Sequence, residues 1–203
     1  MKILTLSALL LLTACSTAGA ARDYRPYLAK KGVGDITSES IPHCHGYNCR
    51  LKSEATLSVT EWKAIARLFK TVKTPEQERA AIARAVGQFE KIIGAKTGTA
   101  TDVAGTYVQL GNDQHDCVDE SLNTTIYLAL LQQKHLLRHH DVSTISTRIP
   151  LLGGGMGFHQ TAVIVERETS QRFAIDSWFH DNGHDAETIP LADWLYGWHP
   201  VKF

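Results

Sequence analysis

The sequence predicts an α+β domain in which N-terminal helices and a cysteine-bearing helix pack on an antiparallel β-sheet. Three observations predict it. Two capped segments between Ser58 and Gly94 carry apolar residues at helical intervals. A third helix-periodic segment opens at Asp116, and from Val142 onward the period changes to that of strands.

The chain begins with Met1-Lys2 and an apolar run from Ile3 to Leu12, and the run ends in Leu12-Thr13-Ala14-Cys15. Such a run is too short to span a bilayer and reads as a signal peptide over residues 1–14. Its last four residues resemble a bacterial lipobox, in which cleavage precedes the cysteine and acyl chains such as palmitate are attached to it. The resemblance makes Cys15 the lipidation site and the mature protein a membrane-anchored lipoprotein of the cell envelope. Two or three acyl chains hold a protein where one does not. Ser16 favours the periplasmic face of the outer membrane. An ordinary secretory signal cut after Ala18-Gly19-Ala20 is the rival reading. Residues 15–40 then mix small and charged residues without periodicity, as a lipidated tether would, and lead into one domain over 41–203.

Lys+Arg and Asp+Glu both number 21, and losing Lys2 with the signal peptide leaves a net charge of −1. That balance argues against nucleic acid as a partner and against electrostatic binding to an anionic membrane face. Export brings the thiols into an oxidising compartment. Cys44 and Cys49 sit in His43-Cys44-His45-Gly46-Tyr47-Asn48-Cys49, where Gly46 and Asn48 favour a turn, so a local disulfide is expected. The alternative is metal binding by His43, His45 and both thiols, but two histidines flanking one cysteine do not readily reach one ion. No metal or other cofactor is expected. Cys117 is then the odd thiol out, either an intermolecular partner or a reactive group.

Ser58-Val59-Thr60-Glu61 has capping-box spacing, and Trp62, Ile65, Ala66 and Phe69 follow on one helical face. Thr74-Pro75-Glu76-Gln77 starts a second helix with Pro in its first turn, and a stripe from Ala81 to Ile93 is expected to stop at Gly94. After a Gly/Thr-rich connection, Asp116 is an N-cap with Asp119 three positions on, and Val118, Leu122, Ile126, Ala129 and Leu130 share a face. His135, His139 and His140 close that helix, where cationic groups are favoured. Strands are expected over Val142 to Ile149, His159 to Glu166 and Arg172 to Trp178, with Glu168-Thr169-Ser170-Gln171 as a turn. A short helix near Leu191 to Tyr196 ends the domain, with Trp194 and Trp198 as packing residues.

Cys117 falls in the first turn of the third helix, where free N–H groups and the positive end of the dipole are expected to lower a thiol's pKa. A thiolate needs a base and something to orient it. His159 opens one strand after the Gly-rich Leu151 to Gly157 loop, and Asp176 lies near the end of the next. Simple pairing across the expected turn sets Asp176 opposite Val163, four residues and about 13 Å of strand from His159. A triad therefore requires a tighter turn centred on Arg167-Glu168, a bulge or a strong twist. Cys117 otherwise reads as a small buried apolar residue. His115 is an alternative base. His180 and His184, beside Asp181 and Asp185, read as solvated loop residues rather than Zn²⁺ ligands.

Asp116-Cys117-Val118-Asp119 at a helix start, His159 before Thr161-Ala162-Val163-Ile164-Val165, and Asp176-Ser177-Trp178 together resemble the papain-like superfamily, especially its transglutaminase-like bacterial cysteine proteinases. The resemblance spans roughly Gln109 to Trp178. It implies a papain-like core with Cys117 as nucleophile, His159 as general base and Asp176 holding the imidazole. It also implies an upstream amide, Gln114 or Asn112, as oxyanion donor, with the Cys117 backbone N–H as the alternative. The expected function is that of a cysteine peptidase, amidase or acyltransferase acting on peptide, protein or peptidoglycan-peptide substrates. Peptidoglycan endopeptidases that begin with Asp-Cys at a helix start are a variant within that chemistry. A catalytically silent envelope lipoprotein that binds or braces another component is the reading from a different class, and metal trafficking through His43, Cys44, His45 and Cys49 is a third.

Overall fold

The computed structural model describes residues 20–107, 110–149 and 157–201, so Cys15, Ser16 and the expected signal peptide over residues 1–14 lie outside the described residues, as does most of the Gly-rich loop. Five helices and two antiparallel sheets follow in the order α1 (Arg25–Lys30), β1 (Ile41–His45), β2 (Leu51–Ala55), α2 (Val59–Arg67), α3 (Pro75–Thr97), α4 (Cys117–Gln133), β3 (His140–Arg148), β4 (His159–Glu166), β5 (Arg172–Asp176), β6 (Glu187–Pro190) and α5 (Leu191–Leu195). β1 and β2 form a hairpin, and β3-β4-β5-β6 form a four-stranded meander. Helices beside purely antiparallel sheets are what an α+β domain requires.

The layers follow from alternation. All eight residues of β4 are buried. Ala162 and Ile164 join the main core with Leu122, Ile126 and Leu130 of α4. Val163 points the other way and meets Ala174, Ile189, Leu191 and Trp194. The sheet is thus covered by α4 on one face and by α5 on the other. Every residue of α4 from Cys117 to Leu131 is buried, because α3 closes over it with Phe89 stacked at 4.8 Å on Tyr127. Asn123 of α4 accepts from the Cys44 amide at 2.7 Å and donates to the Cys44 carbonyl at 2.8 Å, which ties the hairpin to the same helix.

Three expectations need correction. The segment expected to be a tether carries α1. Arg22 donates its amide to Ser143 Oγ at 2.9 Å and accepts from the Thr144 amide at 2.8 Å, while Tyr27 bonds Gln160. The second helix runs past Gly94 to Thr97 and ends at Gly98 in the left-handed conformation. Gly94 is there for close approach, since a Cβ would sit 3.2 Å from the Ala100 backbone. His140 begins β3 instead of ending a helix. Its Nδ1 bonds Glu78 at 2.9 Å, and the same carboxylate accepts three backbone amides from Arg138 to His140. Glu78 therefore fastens the start of α3 to the start of the sheet.

Gly87 gives a test of this packing. A Cβ there would lie 2.8 Å from the His184 carbonyl carbon and closer still to its oxygen, both of them backbone atoms. Helix propensity alone favours Gly87→Ala by about 1 kcal/mol, whereas overpacking costs about 1–3 kcal/mol. Steric conflict should win, so Gly87→Ala is expected to lower the urea midpoint by an amount worth about 1 kcal/mol. A raised midpoint would show that the 183–184 loop does not rest on α3.

Candidate active site

The first turn of α4 is built before any chemistry can occur there. Asp116 is its N-cap and accepts from the amides of Val118 at 3.0 Å and Asp119 at 2.9 Å, while Asp119 accepts from the Asp116 amide at 3.2 Å, completing a capping box. Asp119 is buried and Asp116 half-buried, and two carboxylates so close together need further donors. The loop between β1 and β2 supplies them: Tyr47 and Cys49 donate to Asp119 at 2.8 and 2.6 Å, and Asn48 donates to Asp116 at 3.0 Å. To aim these amides, Gly46, Tyr47, Asn48 and Cys49 take φ of 72°, 70°, 56° and 53° in succession. Left-handed backbone costs about 1–2 kcal/mol per non-glycine residue. The Cys44–Cys49 disulfide, with a Cα separation of 4.6 Å, closes the turn that holds it.

Cys117 occupies the first position of α4, where the helix leaves its N–H without an intrahelical acceptor. Its sulfur lies 3.9 Å from the Phe158 carbonyl and beside the Gln160 amide, the two peptide groups that flank His159. The side chain is only 4% exposed. Burial pushes the thiol up from 9.0 to about 12, and the negative charges of Asp116 and Asp176 push the same way. The expected depressed thiol pKa is therefore corrected: desolvation outweighs the helix terminus, and the resting group is a neutral thiol.

His159 and Asp176 meet directly. His159 Nε2 donates to Asp176 Oδ2 at 2.8 Å, and both side chains are buried. The register explains how. β4 and β5 pair Ala162 with Ile175 and Val163 with Ala174, so Asp176 faces the position of Thr161 and not Val163. The connecting loop sits one residue earlier than expected, with the Ser170 amide bonding Glu166 and the Glu166 amide bonding Gln171. His159 is then a same-face diagonal neighbour of Asp176, which long side chains bridge. Trp194 of α5 donates its indole N–H to the same carboxylate oxygen at 2.7 Å. The imidazole is enclosed by Trp178, Phe179 and Trp194, at centroid distances of 4.6, 5.3 and 5.4 Å. His159 Nδ1 is buried and has no hydrogen-bond partner among the described residues. Because Nε2 carries the proton given to Asp176, Nδ1 is left as the basic nitrogen.

The other candidate residues fall elsewhere. Gln114 is buried, with Oε1 accepting from the Val103 amide and Nε2 donating to Thr101 O and Asp113 Oδ2, so its amide serves the 101–103 loop rather than an oxyanion. Asn112 accepts from Arg50 at 2.7 Å. Both thiols of the proposed metal-trafficking set are in the disulfide, and His45 bridges Asn112 O and Ser53. His180 pairs with Glu187 at 2.9 Å. Two contributors escaped the sequence: Trp194, expected to be packing alone, and Arg148. Arg148 faces His159 in the register, stacks at 4.6 Å on Trp194 and donates to the Trp194 and Trp198 carbonyls. Only the spacing of Trp194 after a strand-end acid could have hinted at its role.

No family model matches the chain, and no curated protein or solved structure does.

The raised Cys117 pKa has a signed consequence. Between the titration of an unfolded thiol near 8.5 and that of the folded one, the unfolded chain releases a proton that the folded chain keeps. Stability from this residue is thus fully present below pH 8.5 and lost as pH rises towards about 12. Denaturation followed from pH 7 to 10.5 should show an alkaline fall that shrinks in Cys117→Ala. Iodoacetamide should alkylate Cys117 with a midpoint above 8.5; a midpoint well below it would show a resting thiolate.

Proposed function

We propose that the protein is an envelope-anchored cysteine hydrolase or acyltransferase acting on amide bonds of peptides, with Cys117 as nucleophile, His159 as base and Asp176 as the residue orienting it. One observation carries the reading: a buried His–Asp pair leaves His159 Nδ1 without a partner among the described residues, on the strand start against which the Cys117 sulfur rests. The helix-borne cysteine, strand-borne histidine and aspartate on the adjacent strand also support the resemblance to a papain-like, transglutaminase-like core. In the reaction, the thiol proton passes to His159 Nδ1 as sulfur attacks the substrate carbonyl. The Cys117 backbone N–H donates to the developing oxyanion. His159 returns the proton to the leaving amine, and a thioester remains. Water or an amine, deprotonated by His159, then releases the acyl group. Thiol and imidazole are not hydrogen-bonded at rest, as is common before substrate tightens such contacts. Lipidation at Cys15 would place this chemistry at the periplasmic face of the outer membrane.

The burial of the thiol favours a second reading, a silent lipoprotein whose Cys117 is only core. An epoxysuccinyl peptide distinguishes the two. If the protein is catalytic, the probe alkylates Cys117, intact mass records one adduct, and His159→Ala and Asp176→Asn each slow it by at least about 100-fold. Equal rates in wild type and His159→Ala, or no adduct, would overturn the catalytic reading. Trp194→Phe removes one hydrogen bond to a charged oxygen, worth about 1.5–3 kcal/mol, and is expected to slow adduct formation by about tenfold while the fold is kept.

A further inference from the structure

Three residues outside the proposed triad converge behind the first turn of α4. His115 Nδ1 lies 3.2 Å from Asp102 Oδ2 and 3.1 Å from Glu120 Oε1. All three side chains are buried, and their ligand atoms fall within 4.8 Å of one another. At these distances a ring N–H would ordinarily bond one of the oxygens, yet Nδ1 is aligned with neither and has no hydrogen-bond partner among the described residues. The residue is 2% exposed. A second buried group is left over beside it. Glu90 accepts from Gly183 through one oxygen, its other oxygen has no partner among the described residues, and Ser177, which donates to Glu120, also reaches it.

We propose that Asp102, His115 and Glu120 form a divalent metal site whose preferred ion is Zn²⁺. An ion bound tetrahedrally at about 2.0–2.2 Å by nitrogen and carboxylate oxygen sets its ligands about 3.3–3.5 Å apart, and the separations of 3.2 and 3.1 Å from Nδ1 need widen only slightly to admit it. Charge also balances: two carboxylates and a neutral imidazole cancel a 2+ ion, whereas a protonated imidazole would leave one buried negative charge over. The ligand set suits the ion, since imidazole with carboxylates selects Zn²⁺ over Ca²⁺ or Mg²⁺. The outer contacts are those a metal-bound histidine needs. His115 Nε2 lies 3.1 Å from His43 Nε2, and His43 Nδ1 lies 3.2 Å from the Tyr127 hydroxyl. With an ion on Nδ1, that chain would hold the remaining ring proton on His115 Nε2. Glu90 lies outside this set of mutually close ligand atoms, so water would supply the fourth ligand. The ion would join the 99–106 loop to the helix that carries Cys117, and its role there is positional.

The full chain purified without chelator should contain about one zinc per molecule by elemental mass spectrometry. After chelator treatment it should take up Zn²⁺ saturably, with a rise in Tm of several degrees. A cobalt-loaded sample should show visible d–d bands without thiolate charge transfer. Zinc affinity should fall at least 100-fold in Asp102→Asn/Glu120→Gln and stay unchanged in His180→Ala/His184→Ala and in Cys117→Ser. The last variant separates this site from the proposed triad, which can fail independently. Wild-type protein that neither retains nor takes up zinc overturns the proposal without reference to any variant. Uptake indifferent to Asp102→Asn/Glu120→Gln, or a thiolate band with cobalt, overturns it too.

Discussion

The start of α4 must be buried, and that requirement organises the molecule. A helix end under protein leaves donors to satisfy, and here half-buried Asp116 does so with buried Asp119 beside it. Those charges in turn need amides, which a left-handed turn closed by a disulfide presents. Asn123 holds the same hairpin one helical turn further along. The hairpin is thus less a sheet in its own right than a bracket around one helix terminus.

The same burial sets the character of the thiol. Helix termini favour thiolates when water or a cation completes their solvation. Cys117 has backbone carbonyl and amide beside it and two carboxylates nearby, so the neutral form prevails. His159 sits in comparable surroundings, with three aromatic rings around it and one carboxylate shared between its Nε2–H and an indole N–H. A low dielectric strengthens that shared interaction and fixes the tautomer. Cys117 is therefore held as a neutral thiol beside an imidazole whose orientation is fixed by Asp176 and Trp194.

Elements with strong local signals were legible. Ser58 and Asp116 head capping boxes at the helix starts the sequence indicated, and β4 spans the expected residues. What was hidden depended on contacts distant in sequence. α1 is six residues long and is held by β3 and Gln160, so it has no period of its own to display. The strands of the hairpin are five residues each and carry His, Lys and Glu, since one side of β2 faces water. A loop displaced by one residue moved Asp176 two positions along β4, enough to turn an unreachable pair into a bonded one. Asp102, His115 and Glu120 come together only because the 99–106 loop folds back on α4, which no spacing rule anticipates.

The bonds between Arg22 and β3 also bear on how far the domain can stand from a surface. The folded body claims the chain at Arg22, so a lipid on Cys15 would have seven residues of leash, about 25 Å when fully extended. A leash running to residue 40 would have let the domain sweep a volume more than three times as deep. With the shorter one, a lipid-anchored domain would hug the surface, its encounters confined to molecules within its own diameter of the bilayer.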